Sequence, residues 1–331
     1  YTLQRAGLTL LVSLNAVKEQ ANNKYFKTII EQMIRDIEGG SSLSAAMAQY
    51  PKIFNSIYVN MIKAGEVSGK LVEILERLAV LGEHDEKIRL KISAAVRYPL
   101  MVVCSIVIGF GVLVTVVIPK FVNLFAQFKT GLPVPTKILI FIHHTVVYYW
   151  WLVILVIVGI YLLFRNFVKT EQGSYLWDGL KLKMPVFGPL LLNLIMSRFC
   201  RITGTLMRSG IPILQILDLV SHGVGNAVVA KIIHDIEGHV NEGKGMLLPM
   251  KQSRLFPPLV IQMVAVGEET GRLDELLIHA SDYYDTQVEY TISNLIVLIE
   301  PFLIFFLGIA VLLMALGIFT PMWNLMNLFK H

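Results

Sequence analysis

The chain is poor in charged side chains. Of its 331 residues, 16% are Asp, Glu, Lys or Arg and 55% are hydrophobic, a balance too apolar for an ordinary soluble protein. Three stretches, 98–119, 138–164 and 301–322, contain none of the four charged residue types. Because about 20 apolar residues are enough to cross a bilayer as a helix, we predict three transmembrane helices, at 98–119, 138–164 and 300–322.

Signatures of covalent chemistry are also scarce. The two cysteines, Cys104 and Cys200, are too few for a disulfide framework, and we interpret them as packing residues. No nucleophile paired with a base, no catalytic pair of carboxylates and no zinc-ligand spacing stands out. Residues 238–244 match the start of a phosphate-binding loop, but Gly245 stands where that loop needs Ser or Thr. We therefore predict that the protein is not an enzyme and holds no cofactor.

The net charge of +5 is modest, and its placement is more informative than its size. No basic patch is interleaved with aromatic residues, so we expect no nucleic-acid partner. Lys and Arg concentrate just before the first apolar stretch and just after the second, which by the positive-inside rule favours the cytoplasm for both flanks. These residues are Lys87, Arg89, Lys91 and Arg97 on one side, and Arg165, Lys169, Lys181 and Lys183 on the other.

One sequence pattern occurs twice. Residues 64–71 read Ala-Gly-Glu-Val-Ser-Gly-Lys-Leu, and residues 266–273 read Val-Gly-Glu-Glu-Thr-Gly-Arg-Leu. The same spacing of 202 positions pairs Pro99 with Pro301, each at the start of an apolar stretch, and a further pair of prolines at the far end. A register that holds over such a length indicates an internal duplication.

Outside the apolar stretches, both copies show helical periodicity and no sustained alternation of the strand type. Ser41 and Ser42 are suited to cap a short helix that ends before Pro51. The other predicted helices lie at 24–37 and 55–64, at 228–240 and 257–266, and from near Lys70 and Arg272 onward. We predict an all-α membrane protein with two repeated cytoplasmic helical bundles and three transmembrane helices.

The repeated turn has a structural interpretation. We expect the first glycine, Gly65 or Gly267, to end one helix, and Ser or Thr to cap the next. The second glycine, Gly69 or Gly271, would then permit a tight turn.

A functional interpretation of the same turn stays open beside it. In this second interpretation an acidic turn at an exposed tip of the bundle contacts a partner or an ion, through Glu66 in the first copy and Glu268 in the second. Glu269 adds a further carboxylate, and Val67 occupies the matching position. Any role that needs two adjacent carboxylates, such as a metal site, therefore belongs to Glu268 and Glu269 alone.

Pro99 and Pro301 mark the points where we expect helices to enter the membrane. Glu300 precedes the second of these prolines, and Tyr98 holds the matching position. A carboxylate at membrane depth is a functional candidate by default. Beside Pro301 it could equally mark the level of the lipid headgroups, and both interpretations stay open.

The second copy closely resembles the F domain of bacterial type II secretion and type IV pilus systems. The resemblance is carried by residues 209–214, Ser-Gly-Ile-Pro-Ile-Leu, and by residues 256–275, Phe-Pro-Pro-Leu-Val-Ile-Gln-Met-Val-Ala-Val-Gly-Glu-Glu-Thr-Gly-Arg-Leu-Asp-Glu. It extends over the two copies, the three apolar stretches and the flanking prolines. Residues 63–71, Lys-Ala-Gly-Glu-Val-Ser-Gly-Lys-Leu, are a weaker version of the same pattern.

The resemblance implies a multi-pass platform protein of the bacterial inner membrane with six-helix cytoplasmic bundles. It implies that the protein forms homo-oligomers beside other inner-membrane assembly proteins, and that a cytoplasmic hexameric ATPase docks beneath it. ATP-driven motion would then help lift pilin or pseudopilin subunits into a filament. It also implies a segment before the first domain. This agrees with the second copy, in which helical sequence from about Leu190 precedes Thr205 while the matching Thr2 has almost nothing before it.

Together these features predict an order of domains along the chain, with two membrane crossings that return the second copy to the face of the first. The first cytoplasmic domain is 1–97 and the second is 165–299, with helices at 98–119, 138–164 and 300–322, a periplasmic loop at 120–137 and a periplasmic tail at 323–331. Many secondary transporters have inverted repeats instead. A polytopic transporter or channel subunit is the main alternative, and a membrane enzyme such as an intramembrane protease is a third.

Overall fold

The computed structural model describes residues 1–112, 115–116, 119, 141, 144–145, 148–185 and 187–328, and all regular structure among them is helical. The predicted all-α fold is confirmed for this part of the chain. The predicted loop at 120–137 lies outside the described residues. The helices of the first half are α1 Thr2–Arg5, α2 Leu10–Gln20, α3 Lys24–Glu38, α4 Leu43–Ala48, α5 Ser56–Ser68 and α6 Leu71–Val112.

The second half of the chain begins with two helices that precede the repeated set. They are α7 Trp150–Lys169 and α8 Glu171–Lys183. The helices that follow are α9 Phe187–Arg208, α10 Ile213–Gly223, α11 Ala227–Asn241, α12 Leu247–Ser253, α13 Pro258–Thr270 and α14 Leu273–Leu328.

Short polar side chains fix several helix starts. The Ser42 hydroxyl accepts a hydrogen bond from the amide of Ala45, which confirms the predicted cap of α4. Asn23 and Asn226 hold the same position at the starts of α3 and α11, and each side-chain oxygen accepts bonds from two backbone amides. These bonds satisfy donors that have no partner within the helix.

Helix bounds follow the sequence repeat. α5 and α13 each have 13 residues and lie 202 positions apart, and the starts of α6 and α14 keep the same spacing. Glycines with positive φ recur at matching turns, where Gly40 has φ +94° and Gly243 has φ +75°. A left-handed backbone at the same turn in both copies is what a duplicated fold requires.

Contacts within the chain define two compact units. One consists of Tyr1–Arg89 with Tyr175–Glu289, and the other contains the described residues of Leu90–Ser174 and Tyr290–His331. In the first unit a single hydrophobic core draws on both copies, and Met61, Met196, Phe199, Leu206 and Val264 are fully buried in it. The two copies therefore share one core, while the predicted domain limits at 97 and 165 stay predictions.

Three helices in the described part are long and apolar enough to cross a membrane: α6, α9 and the Leu273–Ile309 part of α14. The most apolar windows of α6 and α14 are 0% and 12% buried, whereas that of α9 is 50% buried. A helix that is apolar on most faces is typical of a buried core element as well as of a membrane span. We therefore assign α9 to the core of the first unit.

α7 covers the part of the predicted span 138–164 that lies within a described helix. Nearly all of its described side chains are exposed, and none is buried. α7 has 20 residues, which is long enough to cross a bilayer, and its residues 150–164 include no Asp, Glu, Lys or Arg.

Candidate functional site

Each copy of the repeated pattern forms the end of one helix and the turn into the next. α5 and α13 continue past the first glycine and end at Ser68 and Thr270. Gly69 and Gly271 follow with φ of +69° and +70°, a left-handed cap that suits glycine. The prediction that the first glycine ends the helix, and that Ser or Thr caps the next, is therefore wrong. Ser68 instead donates its hydroxyl back to the carbonyl of Ala64.

The first glycine of each pattern lies inside its helix, against the start of the next one. A Cβ atom at Gly65 would lie 2.9 Å from Cγ1 of Ile74, and one at Gly267 would lie 2.7 Å from Cα of Leu273. Carbon atoms in ordinary contact are about 3.5–4.0 Å apart. Both positions need glycine because the two helices approach too closely for a side chain. Each glycine is therefore a close packing point within its helix and does not mark the end of that helix.

The glutamate after that glycine binds the start of a short helix. In the first copy, the amide of Leu43 donates to Oε1 of Glu66 at 2.6 Å, and the amide and hydroxyl of Ser44 donate to Oε2 at 3.3 and 2.5 Å. In the second copy, the amide of Met246 donates to Oε1 of Glu268 at 2.9 Å. First-turn amides carry partial positive charge and have no partner in their own helix. Each glutamate therefore ties α4 to α5 or α12 to α13.

The next position points away from these contacts. Val67 is 83% exposed, and Glu269 is exposed as well. Among the described residues, no group of three or more His, Cys, Asp or Glu is placed to hold a metal ion. Since Glu268 already binds the start of α12, Glu269 is the carboxylate of this turn that is left to face a partner. A metal or partner contact at Glu268 and Glu269 stays a prediction.

A polar cluster that the sequence analysis did not find joins the two copies. It is centred on Asp285 of α14, whose Oδ2 lies 2.7 Å from Nε2 of His84 on α6. The hydroxyl of Ser197 and the guanidinium of Arg201, both on α9, also donate to this carboxylate. Arg201 makes a second ion pair of 2.9 Å with Asp282. The cluster thus links three helices from both copies.

The surroundings of Asp285 keep its carboxylate charged. Partial burial disfavours the charged form, but hydrogen bonds from His84 and Ser197 and the charge of Arg201 outweigh it, so the pKa of Asp285 is lowered. The side chains of His84, Arg201 and Asp285 are 19%, 14% and 17% exposed, so water screens their interaction little. Losing one partner would leave a charge largely buried without compensation.

The prolines at the predicted membrane boundary lie within continuous helices. α6 runs through Pro99, and α14 runs through Pro301. Each proline removes one backbone hydrogen bond from its helix. Glu300 has an exposed side chain, which fits either of its two interpretations.

These observations describe an all-helical membrane protein in which a duplicated helical pattern shares one core. The family described as Type II secretion system (T2SS), protein F matches residues 1–119 and 199–321. The chain belongs to this family, as the resemblance of its repeated turn predicts.

Similar proteins come from both kinds of machine. A type IV pilus assembly protein PilC from Myxococcus xanthus is 36% identical over 324 residues, which cover 98% of this chain and 78% of the relative. A PilC from Thermus thermophilus is 36% identical over 327 residues, covering 98% and 80%. A type II secretion system protein F from Vibrio cholerae is 30% identical over 337 residues, covering 100% and 81%.

Proposed function

We propose that this chain is an inner-membrane platform protein of a bacterial type IV pilus or type II secretion machine. In this role it couples a cytoplasmic hexameric ATPase to the addition of pilin or pseudopilin subunits to a filament. Membership of the protein F family, with similar proteins named for pilus assembly and for type II secretion, is the observation that carries the proposal. The role requires no covalent chemistry from the chain itself.

The proposed topology places both repeated helical bundles in the cytoplasm. Support comes from the basic residues before the first apolar stretch and after the second, and from the shared core, which requires both copies to lie on one side of the membrane. The chain would then cross the membrane at 98–119, 138–164 and 300–322. Homo-oligomers beside other inner-membrane assembly proteins would form the platform.

The mechanism we propose is mechanical. α6 begins at Leu71 beside the first repeated turn and continues unbroken to Val112, and α14 begins at Leu273 beside the second and continues to Leu328. A continuous helix transmits displacement along its axis better than a loop would. The Asp285 cluster holds the two helices together where they leave the core, so they would move as a pair.

The role is tested by deleting the gene in a host that has no second copy, with surface pili and exported proteins as readouts. Loss of pili with normal export assigns the chain to a pilus machine, and loss of export with normal pili assigns it to type II secretion. If pili and export both survive, the platform proposal is contradicted and the transporter alternative is favoured.

The mechanical step has its own test, with Ala94→Pro as the variant. Ala94 is exposed in α6 between the core and Pro99, and an interior proline weakens a helix by about 3 kcal/mol. We expect normal amounts of protein in the membrane but loss of filament assembly, with Ala94→Ser as the control that stays active. Full assembly by Ala94→Pro would show that an unbroken α6 is not required.

A further inference from the structure

α8, between the membrane-length helix α7 and the core helix α9, carries an apolar surface that the core does not use. The 13 residues of α8 are Glu171–Lys183. Tyr175, Leu176 and Leu180 in this helix are 42%, 62% and 52% exposed. Three large apolar side chains left exposed within six positions need an explanation, because isolated exposed residues are common but clusters mark contact surfaces.

Two of these residues share one face of α8. Leu176 and Leu180 are four positions apart, and Lys183 lies on the same side by helical periodicity, whereas Tyr175 lies at the edge of this face, three positions before Asp178. The opposite side is held by the first unit: Asp178 is 7% exposed and its Oδ2 accepts a 2.7 Å hydrogen bond from the amide of Ala227. Packing on one side thus fixes which residues the other side presents.

A tight corner sets the position of α8 immediately after α7. Only Thr170 separates the two helices, and its hydroxyl accepts a hydrogen bond from the amide of Gly173 at 3.1 Å. A Cβ atom at Gly173 would lie 1.9 Å from the carbonyl oxygen of Phe167. The backbone therefore turns sharply at the end of α7 instead of continuing as one helix or passing into a flexible linker.

Two lysines lie at the apolar face or at its edge. Lys183 is exposed on it, and the exposed Lys231 of α11 places its ammonium 5.6 Å from the centroid of the Tyr175 ring. Lys181 differs, because its ammonium pairs with Asp178 at 2.5 Å. Cations around an apolar face complement a surface that is apolar inside and anionic outside.

We propose that the exposed face of α8 lies in the headgroup layer of the membrane and contacts anionic phospholipids. A helix that starts one residue after a membrane-length helix begins at the level of the headgroups. Apolar side chains on one face with lysine and tyrosine at the border are typical of helices that lie in this layer. A partner protein is disfavoured as the occupant, since it would have to displace lipid at the point where α7 leaves the bilayer.

The depth of the face can be measured with nitroxide labels on the full chain in vesicles of phosphatidylcholine and phosphatidylglycerol. Leu176→Cys and Leu180→Cys carry the label in a background where Cys104, the exposed native cysteine, is serine; Cys200 is fully buried. We expect both labels to collide more with oxygen, which enters lipid, than with a water-soluble nickel complex. Val67→Cys, at a position 83% exposed on the first repeated turn, serves as the aqueous control.

Two outcomes of the depth measurement would overturn the proposal. Nickel accessibility at positions 176 and 180 equal to that at position 67 would place the face in water. Shielding from both oxygen and nickel would show that protein covers it. Neither outcome bears on the platform role, which the gene deletion tests separately.

The preference for anionic lipid needs a second measurement. A fluorophore on Leu180→Cys is quenched by spin-labelled phosphatidylglycerol or by spin-labelled phosphatidylcholine at equal mole fraction. We expect several-fold stronger quenching by phosphatidylglycerol, reduced by salt and by Lys183→Gln with Lys231→Gln, because each lysine near the surface attracts anionic headgroups. Arg272→Gln, at the second repeated turn, is the control that leaves the preference intact. Equal quenching by the two lipids would remove anionic headgroups from the proposal.

Discussion

The two copies of the repeated turn share their backbone but differ in the contacts that hold it. In the first copy, Glu66 accepts hydrogen bonds from three donors at the start of α4, at 2.5 to 3.4 Å, whereas Glu268 accepts from one donor just before α12. The glycines differ in the opposite direction. The atom nearest to a side chain at Gly65 would be Cγ1 of Ile74 at 2.9 Å, whereas the atom nearest to one at Gly267 would be the backbone Cα of Leu273 at 2.7 Å. The first turn therefore has more hydrogen bonds to its glutamate, and the second has the closer approach at its glycine.

A larger difference lies about three turns further along the long helices. Asp285 is the centre of the polar cluster, and the matching residue of the first copy, Glu83, is exposed. Both are acidic residues in a helix that leads toward the membrane, yet only Asp285 faces His84 and Arg201. Matching residue types thus do not imply matching roles, because of these two matching acids only Asp285 joins the copies.

Asp285→Ala should cause the largest loss of stability, and Glu83→Ala should cause almost none. Removing the acid leaves Arg201 largely buried without its main partner, which costs about 3 kcal/mol in comparable cases. An exposed surface change is usually worth less than about 0.5 kcal/mol. Denaturant titration of the purified protein in detergent measures both. Equal losses for the two variants would show that Asp285 has no special role in joining the copies.

Acid should weaken the same contact. The pKa of Asp285 is lowered in the folded protein from an ordinary value of 3.8, so its contribution is present above that value and is lost as the pH falls through the lower folded pKa. The difference in stability between the natural protein and Asp285→Ala should therefore shrink below about pH 4. A difference that stays constant down to pH 2 would contradict this assignment.

Replacing the first glycine of each turn with alanine should destabilise the protein by different amounts in the two copies. We expect Gly267→Ala to lower the free energy of unfolding by about 2 kcal/mol and Gly65→Ala by about 1 kcal/mol, from overpacking partly offset by the better helix propensity of alanine. The order follows from the closest approach, which is 2.7 Å to the backbone Cα of Leu273 at Gly267 and 2.9 Å to a side-chain carbon of Ile74 at Gly65. The same titration gives the result, and a larger loss for Gly65→Ala would reverse our comparison.

Replacing the glutamate should cost more stability in the first copy than in the second, which is the opposite order to that of the glycines. Glu66→Ala removes acceptors from two amides and a hydroxyl, for which we expect a loss of about 1.5 kcal/mol, and Glu268→Ala should lose about 1 kcal/mol. Hydrogen exchange at the amides of Leu43, Ser44 and Met246 reports the change locally. If protection at these amides is unaffected, the caps do not hold the short helices.

Sequence patterns predicted the helices because their signals are local. The cap at Ser42, the positive-φ glycines and the shared spacing of the two copies all depend on residues near one another in the chain. The first glycine of the turn was misjudged, since Gly65 as a helix end and Gly65 as a close packing point look alike in sequence. Only the position of Ile74, nine residues on, separates the two.

The Asp285 cluster could not be found in this way. Its members come from α6, α9 and α14, and the separation of 201 positions between His84 and Asp285 hides their contact. The one available signal was a charged residue within a mostly apolar helix, as for Arg201 in α9. The apolar character of α9 itself was ambiguous, because burial in a core and burial in lipid select similar residues.

The smallest effect on stability should come from exchanging Val67 and Glu269, the matching positions at which the two turns differ in charge. For these variants the informative measurement is filament assembly. Glu269→Val and Val67→Glu exchange the two exposed side chains, and each should change the free energy of unfolding by less than about 0.5 kcal/mol. If the second turn contacts a partner through its carboxylate, Glu269→Val reduces filament assembly at normal protein level while Val67→Glu leaves it unchanged. Assembly by both variants at the natural level would restrict the repeated turn to the structural role that Gly267 and Glu268 already have.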